Sequence, residues 1–178
     1  MKAIREVQAV EKYKKLAAEM MLADEYHECD FRPDWILERG WKVVPVEDGN
    51  HFRGWEIDRI VPALQDAGYF DCVAVATEPV GLLPSCFQLA LTPDDFREFN
   101  SECGQLRFLL TEETRSWAIS CRELYNLFAG EQSIVEAMLG VPIEEARKRF
   151  LAFAEPLALG NPDHPLLKAA QLYAALDG

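Results

Sequence analysis

The sequence lacks the paired cysteines and the long apolar runs by which several protein classes are recognised. Its five cysteines form no CxxC pair, and the two closest are fourteen residues apart, which disfavours a disulfide scaffold and a structural zinc site. No stretch approaches the ~20 apolar residues that a membrane-spanning helix needs. The first twenty residues mix charged and apolar side chains and contain no signal-peptide core. We therefore expect a soluble, cytoplasmic protein of bacterial type with buried free thiols.

Recognisable catalytic signatures are also missing. There is no GxGxxG, P-loop, HExxH or GxSxG motif. A cysteine nucleophile needs a neighbouring histidine, and the chain has only three: His27, His51 and His164. Three cysteines fall in predicted strands, where burial raises the thiol pKa and makes the group inert: Cys72, Cys86 and Cys121. The sequence predicts no catalytic residue, metal or cofactor, and it favours a non-enzymatic protein.

Positive charge is scarce. Thirty Asp and Glu residues stand against 18 Lys and Arg, which gives a formal net charge of −12. Nucleic acid and anionic membranes are therefore disfavoured as partners, because both are bound through clustered basic residues. A basic protein partner fits, since opposite charge speeds the encounter, although acidity also serves solubility. Toxin-immunity proteins, which neutralise basic bacterial effectors, are comparable in charge and size alone, and no motif is shared with them.

The pattern of elements predicts one α+β domain spanning 1–178, with helices on a mostly antiparallel sheet. The N-terminal segment 1–30 is expected to form a long amphipathic helix over 3–28. Strands are predicted at 41–46, with Pro45 indicating a sheet edge, and at 69–77 and 86–91. Short turns within 105–130 predict an antiparallel meander. The chain ends in helices, including the C-terminal segment 156–178, and a homodimer through the N-terminal or C-terminal helix is one possible assembly.

A row of carboxylates on the helix predicted over 93–102 is the first candidate site. Thr92 is its expected cap and Pro93 its first residue. Four acidic side chains share about 100° of the helix surface. Like charges at i,i+4 cost a few tenths of a kcal/mol each, so this surface is either a solvated face or one kept for a cationic partner. We call these residues the acidic comb: Asp94, Asp95, Glu98 and Glu102.

The loop predicted at 47–56 is the second candidate, for a small-molecule-binding protein or an enzyme. A histidine, an arginine and a tryptophan in a glycine-bearing loop favour a pocket, since loops on a rigid scaffold often carry function. The proposed pocket residues are His51, Arg53 and Trp55. Alternatively, Phe52 and Trp55 only anchor the loop on the core.

The segment 23–30 offers a third, local cluster. Asp24, His27 and Glu28 have the spacing by which a helix presents two metal ligands on one face, and Cys29 is adjacent. Further ligands would have to come from elsewhere in the chain. The simpler interpretation is a histidine at the negative end of a helix, so no metal site is predicted.

Overall fold

The strands form one antiparallel sheet. A computed structural model describes residues 1–22, 30–47, 49, 51–104 and 106–176. In chain order its strands are β1 (Lys2–Ala3), β2 (Lys42–Glu47), β3 (Asp71–Ala76), β4 (Cys86–Ala90), β5 (Phe108–Thr111), β6 (Trp117–Cys121) and β7 (Tyr125–Gly130). They lie in the order β1-β4-β3-β5-β6-β7-β2, and each neighbouring pair is antiparallel. The predicted α+β fold is confirmed, and the meander predicted within 105–130 is β5–β6–β7.

Helices cover both faces of the sheet. They are α1 (Val7–Met20), α2 (Pro33–Arg39), α3 (Gly54–Asp66), α4 (Pro93–Cys103), α5 (Gln132–Leu139), α6 (Ile143–Ala158) and α7 (Pro165–Ala175). One core joins the sheet to α3, α4, α5 and the start of α6, and the other joins it to α1, α2, α7 and the rest of α6. In β6, Ile119 faces the first core and Ala118 the second, as strand alternation requires.

Helix α6 crosses the open edge of the sheet. Its residues Ile143 and Ala146 lie in one core, whereas Phe150 and Ala154 lie in the other. The edge strand there is β2, whose Pro45 has no N–H to offer a further strand, as the sequence predicted. Proline and a covering helix are two of the devices that protect exposed sheet edges from unwanted pairing.

The N-terminal helix is shorter than predicted. It begins at Val7 and ends at Met20, and the residues before it include β1, whose backbone pairs with β4. This long-range pairing overrides the local helical pattern of residues 3–6. After the helix, Met21 forms an isolated antiparallel bridge with Phe31. Residues 23–29, with the whole cluster of Asp24, His27, Glu28 and Cys29, lie outside the described residues.

Two further helix boundaries differ from what the sequence pattern indicates. Asp58 is a residue type that caps helices, but helix α3 already begins at Gly54, because the Glu56 carboxylate accepts a hydrogen bond from the Arg53 backbone N–H at 2.7 Å. Helix α6 continues through Pro156 to Ala158, so the C-terminal segment 156–178 contains the end of α6, a loop and α7. Pro62 and Pro156 both lie within helices at exposed positions, where water can bond the carbonyl groups they leave unpaired.

Candidate functional site

The acidic comb lies on the outer side of α4, as predicted. Thr92 caps the helix, because its side-chain oxygen accepts a hydrogen bond from the Asp95 backbone N–H at 3.3 Å, and Pro93 is the first helical residue. The buried side chains of the helix point into the first core and hold it against the sheet: Phe96, Phe99 and Cys103. The comb therefore occupies a fixed position above a rigid aromatic core.

The four carboxylates of the comb differ in what they contact. One oxygen of Asp95 accepts a hydrogen bond from the Ala90 N–H at 2.7 Å, and the other lies 2.8 Å from the amino-terminal ammonium of Met1. Glu98 lies 2.6 Å from the same ammonium, whose pKa is raised by the hydrogen bonds to both carboxylates. Asp94 forms an exposed ion pair with Arg97 at 2.9 Å. Within the described part of the chain, Glu102 has no ion pair.

These contacts divide the comb into structural and displayed carboxylates. The Asp95 side chain is 21% exposed and joins the start of α4 to β4 and the amino terminus. Asp94 and Glu98 are 93% and 52% exposed, so their charges remain accessible to a partner in spite of their ion pairs. Exposed pairs of this kind contribute little to stability. Asp94, Glu98 and Glu102 are the displayed part of the comb.

Helix α3 extends this displayed surface. Asn100 of α4 bonds both backbone groups of Phe52, just before α3 begins, at 2.9 and 2.6 Å. At the opposite ends of the two helices, the Gln65 side chain donates to the Leu91 carbonyl at 2.8 Å. The helices are thus antiparallel neighbours on one side of the sheet, and α3 adds two exposed carboxylates. We define the acidic face as Asp58, Asp66, Asp94, Glu98 and Glu102.

Negative charge is concentrated on these two helices. The 24 residues of α3 and α4 contain seven acidic side chains and two arginines, a formal charge of −5 in a chain of −12. Helix α6, by contrast, balances three glutamates with three basic residues, and α1 has more lysines than glutamates. These 24 of the 178 residues thus carry −5 of the net charge of −12, a higher density of negative charge than the chain as a whole has.

The predicted pocket near 47–56 is only partly formed. Glu47 belongs to β2 and Trp55 to α3, so the loop is shorter than predicted, and residues 48 and 50 lie outside the described ones. Phe52 is buried against Phe96, with ring centroids 5.2 Å apart, so this aromatic does anchor the loop on the core. Trp55 is 49% exposed and faces a small cavity instead. His51 and Arg53 are exposed and do not line it.

That cavity, here called the Trp55 cavity, has a volume of about 80 Å³. Its walls come from β2, α3, the α5–α6 connection and α6, and include Glu47, Trp55, Arg59, Val141, Arg149 and Phe150. The two arginines are pocket residues that the sequence analysis missed. Ninety positions separate them, and no local motif brings Arg59 and Arg149 together; only the crossing of α6 over the sheet edge does.

A larger groove lies on the other side of α6. It has a volume of about 550 Å³ and runs between α6 and α7 over Pro45. Arg147 at its floor donates hydrogen bonds to the carbonyls of Val43 and Tyr173, both at 3.1 Å, and so ties β2 to α7. Its apolar lining includes Leu151 and Ala170. The groove follows from how two helices pack, which the sequence pattern does not specify.

The described cysteines and histidines have structural surroundings. Cys72, Cys86, Cys103 and Cys121 are buried free thiols, and burial raises the pKa of each. His164 caps α7, since its Nδ1 accepts a hydrogen bond from the Leu166 N–H at 3.4 Å. Among the residues that the structure describes, no three His, Cys, Asp or Glu side chains are grouped so as to hold a metal ion. In the same residues no helix has the length and apolar character to cross a membrane.

Comparison with known proteins gives no relative. No protein-family model, no curated protein and no solved structure matches the chain.

Proposed function

We propose that this protein is a non-enzymatic binding module that engages a basic protein partner through its acidic face. The observation that supports this most directly is that five of the seven acidic side chains on α3 and α4, two adjacent helices of one layer, are exposed. Charge of one sign on one side of a molecule steers an oppositely charged partner toward that side and raises the association rate. The same patch discourages acidic partners, because like charges at an interface repel.

The acidic face is suited to a rigid contact. Its two helices are fixed at both ends of their shared interface by the Asn100 and Gln65 hydrogen bonds. Beneath them, the rings of Phe96 and Phe99 pack against Phe52, so the helices have little freedom to move separately. A preorganised surface loses less conformational entropy on binding, which favours affinity. The arrangement suits a partner with a fixed pattern of Lys and Arg.

The proposed partner is a compact cationic protein, and the proposed location is the cytoplasm. This chain has a size and a net charge like those of proteins that neutralise basic effectors. The similarity concerns size and charge alone, so it indicates the class of partner and not its identity. Dimerisation through α1 or α7 stays a separate prediction. The apolar stripe of α1 is largely used within the chain, since Leu16, Ala17 and Met20 are buried in the second core.

The test is a comparison of charge variants. Asp58→Lys combined with Glu102→Lys reverses two exposed carboxylates, one on each helix, that have no ion pair within the described residues. The control reverses a matched exposed glutamate on α6, by Glu155→Lys. Each tagged protein is used to capture partners from its source cells, and the purified partner is then titrated by calorimetry at several salt concentrations.

The proposal predicts a stoichiometric partner with positive net charge. Its affinity falls on adding salt, and it falls about a hundredfold or more in the double variant, because each of the two lost charge pairs at an interface costs about 1.5 kcal/mol or more. The Glu155→Lys control keeps the affinity of the original protein. The proposal is wrong if the captured partner has a negative net charge. It is also wrong if the original protein, the double variant and the Glu155→Lys control bind the partner with equal affinity.

A further inference from the structure

The Trp55 cavity contains a half-buried arginine whose position is fixed. The Arg59 Nε donates to the Met138 carbonyl at 2.6 Å, near the carboxyl end of α5. Its guanidinium carbon lies 4.9 Å from the centre of the Trp55 ring, in cation–π geometry. Gly140, at φ +68°, leaves room for this side chain, since a Cβ there would come within 2.6 Å of the Arg59 Cδ. Arg59 is therefore held in place before any ligand arrives.

The outer nitrogens of Arg59 remain available. Neither Nη atom has a hydrogen bond or an ion pair with any residue that the structure describes. Burial lowers the pKa of this guanidinium, Glu56 partly opposes the effect, and the charge of Arg149 lowers the pKa further. An arginine presents its donors in a planar fork that matches a carboxylate. The two Nη groups can therefore donate hydrogen bonds to an anion.

Arg149 supplies a second guanidinium to the same cavity. Its Nε pairs with Glu145 at 3.0 Å, an exposed i,i+4 pair of the kind that contributes little energy. Two cations that approach one another across a small cavity repel, and an anion between them turns that repulsion into attraction. The cavity is thus electrostatically complementary to one negative group.

The remaining wall selects the kind of anion. Glu47 is also part of the lining and brings the formal charge of the three charged wall residues to +1, which one singly charged carboxylate balances. Trp55, Val141 and Phe150 add apolar surface beside the arginines. The volume of about 80 Å³ equals two to three water molecules at ~30 Å³ each, which is enough for a carboxylate group whose substituent lies outward against Trp55.

We propose that the Trp55 cavity binds the carboxylate of a small apolar monocarboxylic acid between Arg59 and Arg149. The site is independent of the proposed function, since none of the carboxylates of the acidic face lines it and its ligand has the opposite charge to the proposed partner. It also differs from the pocket predicted at 47–56, of which it retains Trp55 but not His51 or Arg53.

Benzoate is the probe that tests this site. Calorimetric titration at constant ionic strength is expected to give saturable binding with a dissociation constant on the order of 1 mM or below, a value within reach of a ligand of nine heavy atoms. Acetate, which lacks the ring, and inorganic phosphate are both expected to bind more weakly than benzoate. Neither has an apolar group that can contact Trp55, and phosphate also carries more negative charge than the formal +1 of the lining balances.

Two variants locate the binding. Arg149→Gln removes an exposed charge and is expected to weaken benzoate binding about tenfold, the loss of one charge-assisted hydrogen bond. Arg59→Lys keeps the charge but loses the fork, and a similar loss is expected. Arg97→Gln, which removes an equally exposed arginine on α4, is the control and should bind as the original protein does.

Each outcome decides the proposal. Saturable benzoate binding that Arg149→Gln weakens and Arg97→Gln does not supports the site, even if Arg59→Lys fails to fold. Absence of saturable binding in the millimolar range overturns it, as does equal binding by the Arg149→Gln and Arg97→Gln proteins. Phosphate that binds as tightly as benzoate overturns the assignment to carboxylates.

Discussion

The buried thiols of β3 and β6 are expected to make the fold sensitive to alkali. Cys72 and Cys121 are 1% and 0% exposed, and burial is the main cause that raises the pKa of each thiol well above its usual value. In the unfolded chain both thiols have an ordinary pKa of about 8.5. A group whose pKa is raised by folding stabilises the protein fully below the unfolded pKa, and that contribution is lost as the pH rises above it.

The size of the effect follows from the difference in proton binding. At about pH 9.5, one unit above the unfolded pKa, each thiol is mostly ionised in the unfolded chain but protonated in the fold. Each then lowers the free energy of unfolding by about 1.4 kcal/mol, and the pair by about 3 kcal/mol. A loss of this size is a large fraction of the 5–15 kcal/mol by which typical domains are stable.

Urea denaturation under reducing conditions measures this loss. The free energy of unfolding is determined at about pH 7 and about pH 9.5 for the original protein and for the Cys72→Ala/Cys121→Ala variant. The variant is less stable at about pH 7, because it loses packing in the first core. Its loss of stability between about pH 7 and about pH 9.5 should be smaller than that of the original protein by about 3 kcal/mol, since the other groups titrate equally in both proteins. Equal falls would refute the reasoning.

Two further predictions concern local interactions. Thr92→Ala should lower the free energy of unfolding by about 1 kcal/mol, because the cap of α4 is lost. Thr92→Ser keeps a side-chain hydroxyl and should retain most of the stability. Equal free energies of unfolding for the two variants in urea denaturation would contradict the capping role. Asp30→Asn should lower the free energy of unfolding by about 1.5–3 kcal/mol, because a neutral amide replaces the carboxylate that accepts a charge-assisted hydrogen bond from the buried Arg122. Asp34→Asn, which breaks an exposed pair with Arg32, is the control and should change the denaturation midpoint little.

The parts of the fold that sequence predicts well are those fixed by local chemistry. The start of α4 follows from Thr92 and Pro93, and the meander follows from turns too short for anything but antiparallel pairing. Pro45 identified an edge strand for the same kind of reason, since its missing N–H is tolerated only there. Each of these signals lies within a few residues of the structure that it specifies.

The parts that sequence does not predict depend on distant partners. Strand β1 has two residues and no periodic pattern, and it exists because β4 lies beside it. The outward side of α4 was predictable, but the engagement of Asp95 by Ala90 and by the amino terminus was not. The Trp55 cavity needs Arg59 and Arg149, which lie on separate helices. The sequence around Trp55 therefore indicates only one of the walls of the cavity.

The course of α6 has a consequence for how the molecule comes apart. Because this helix contributes side chains to the packing on both faces, peeling it away exposes two interiors at once. We therefore expect the packing on the two faces to be lost together when the protein unfolds. The chain is expected to unfold in one all-or-none transition, so that a destabilising change on either face of the sheet lowers the stability of both.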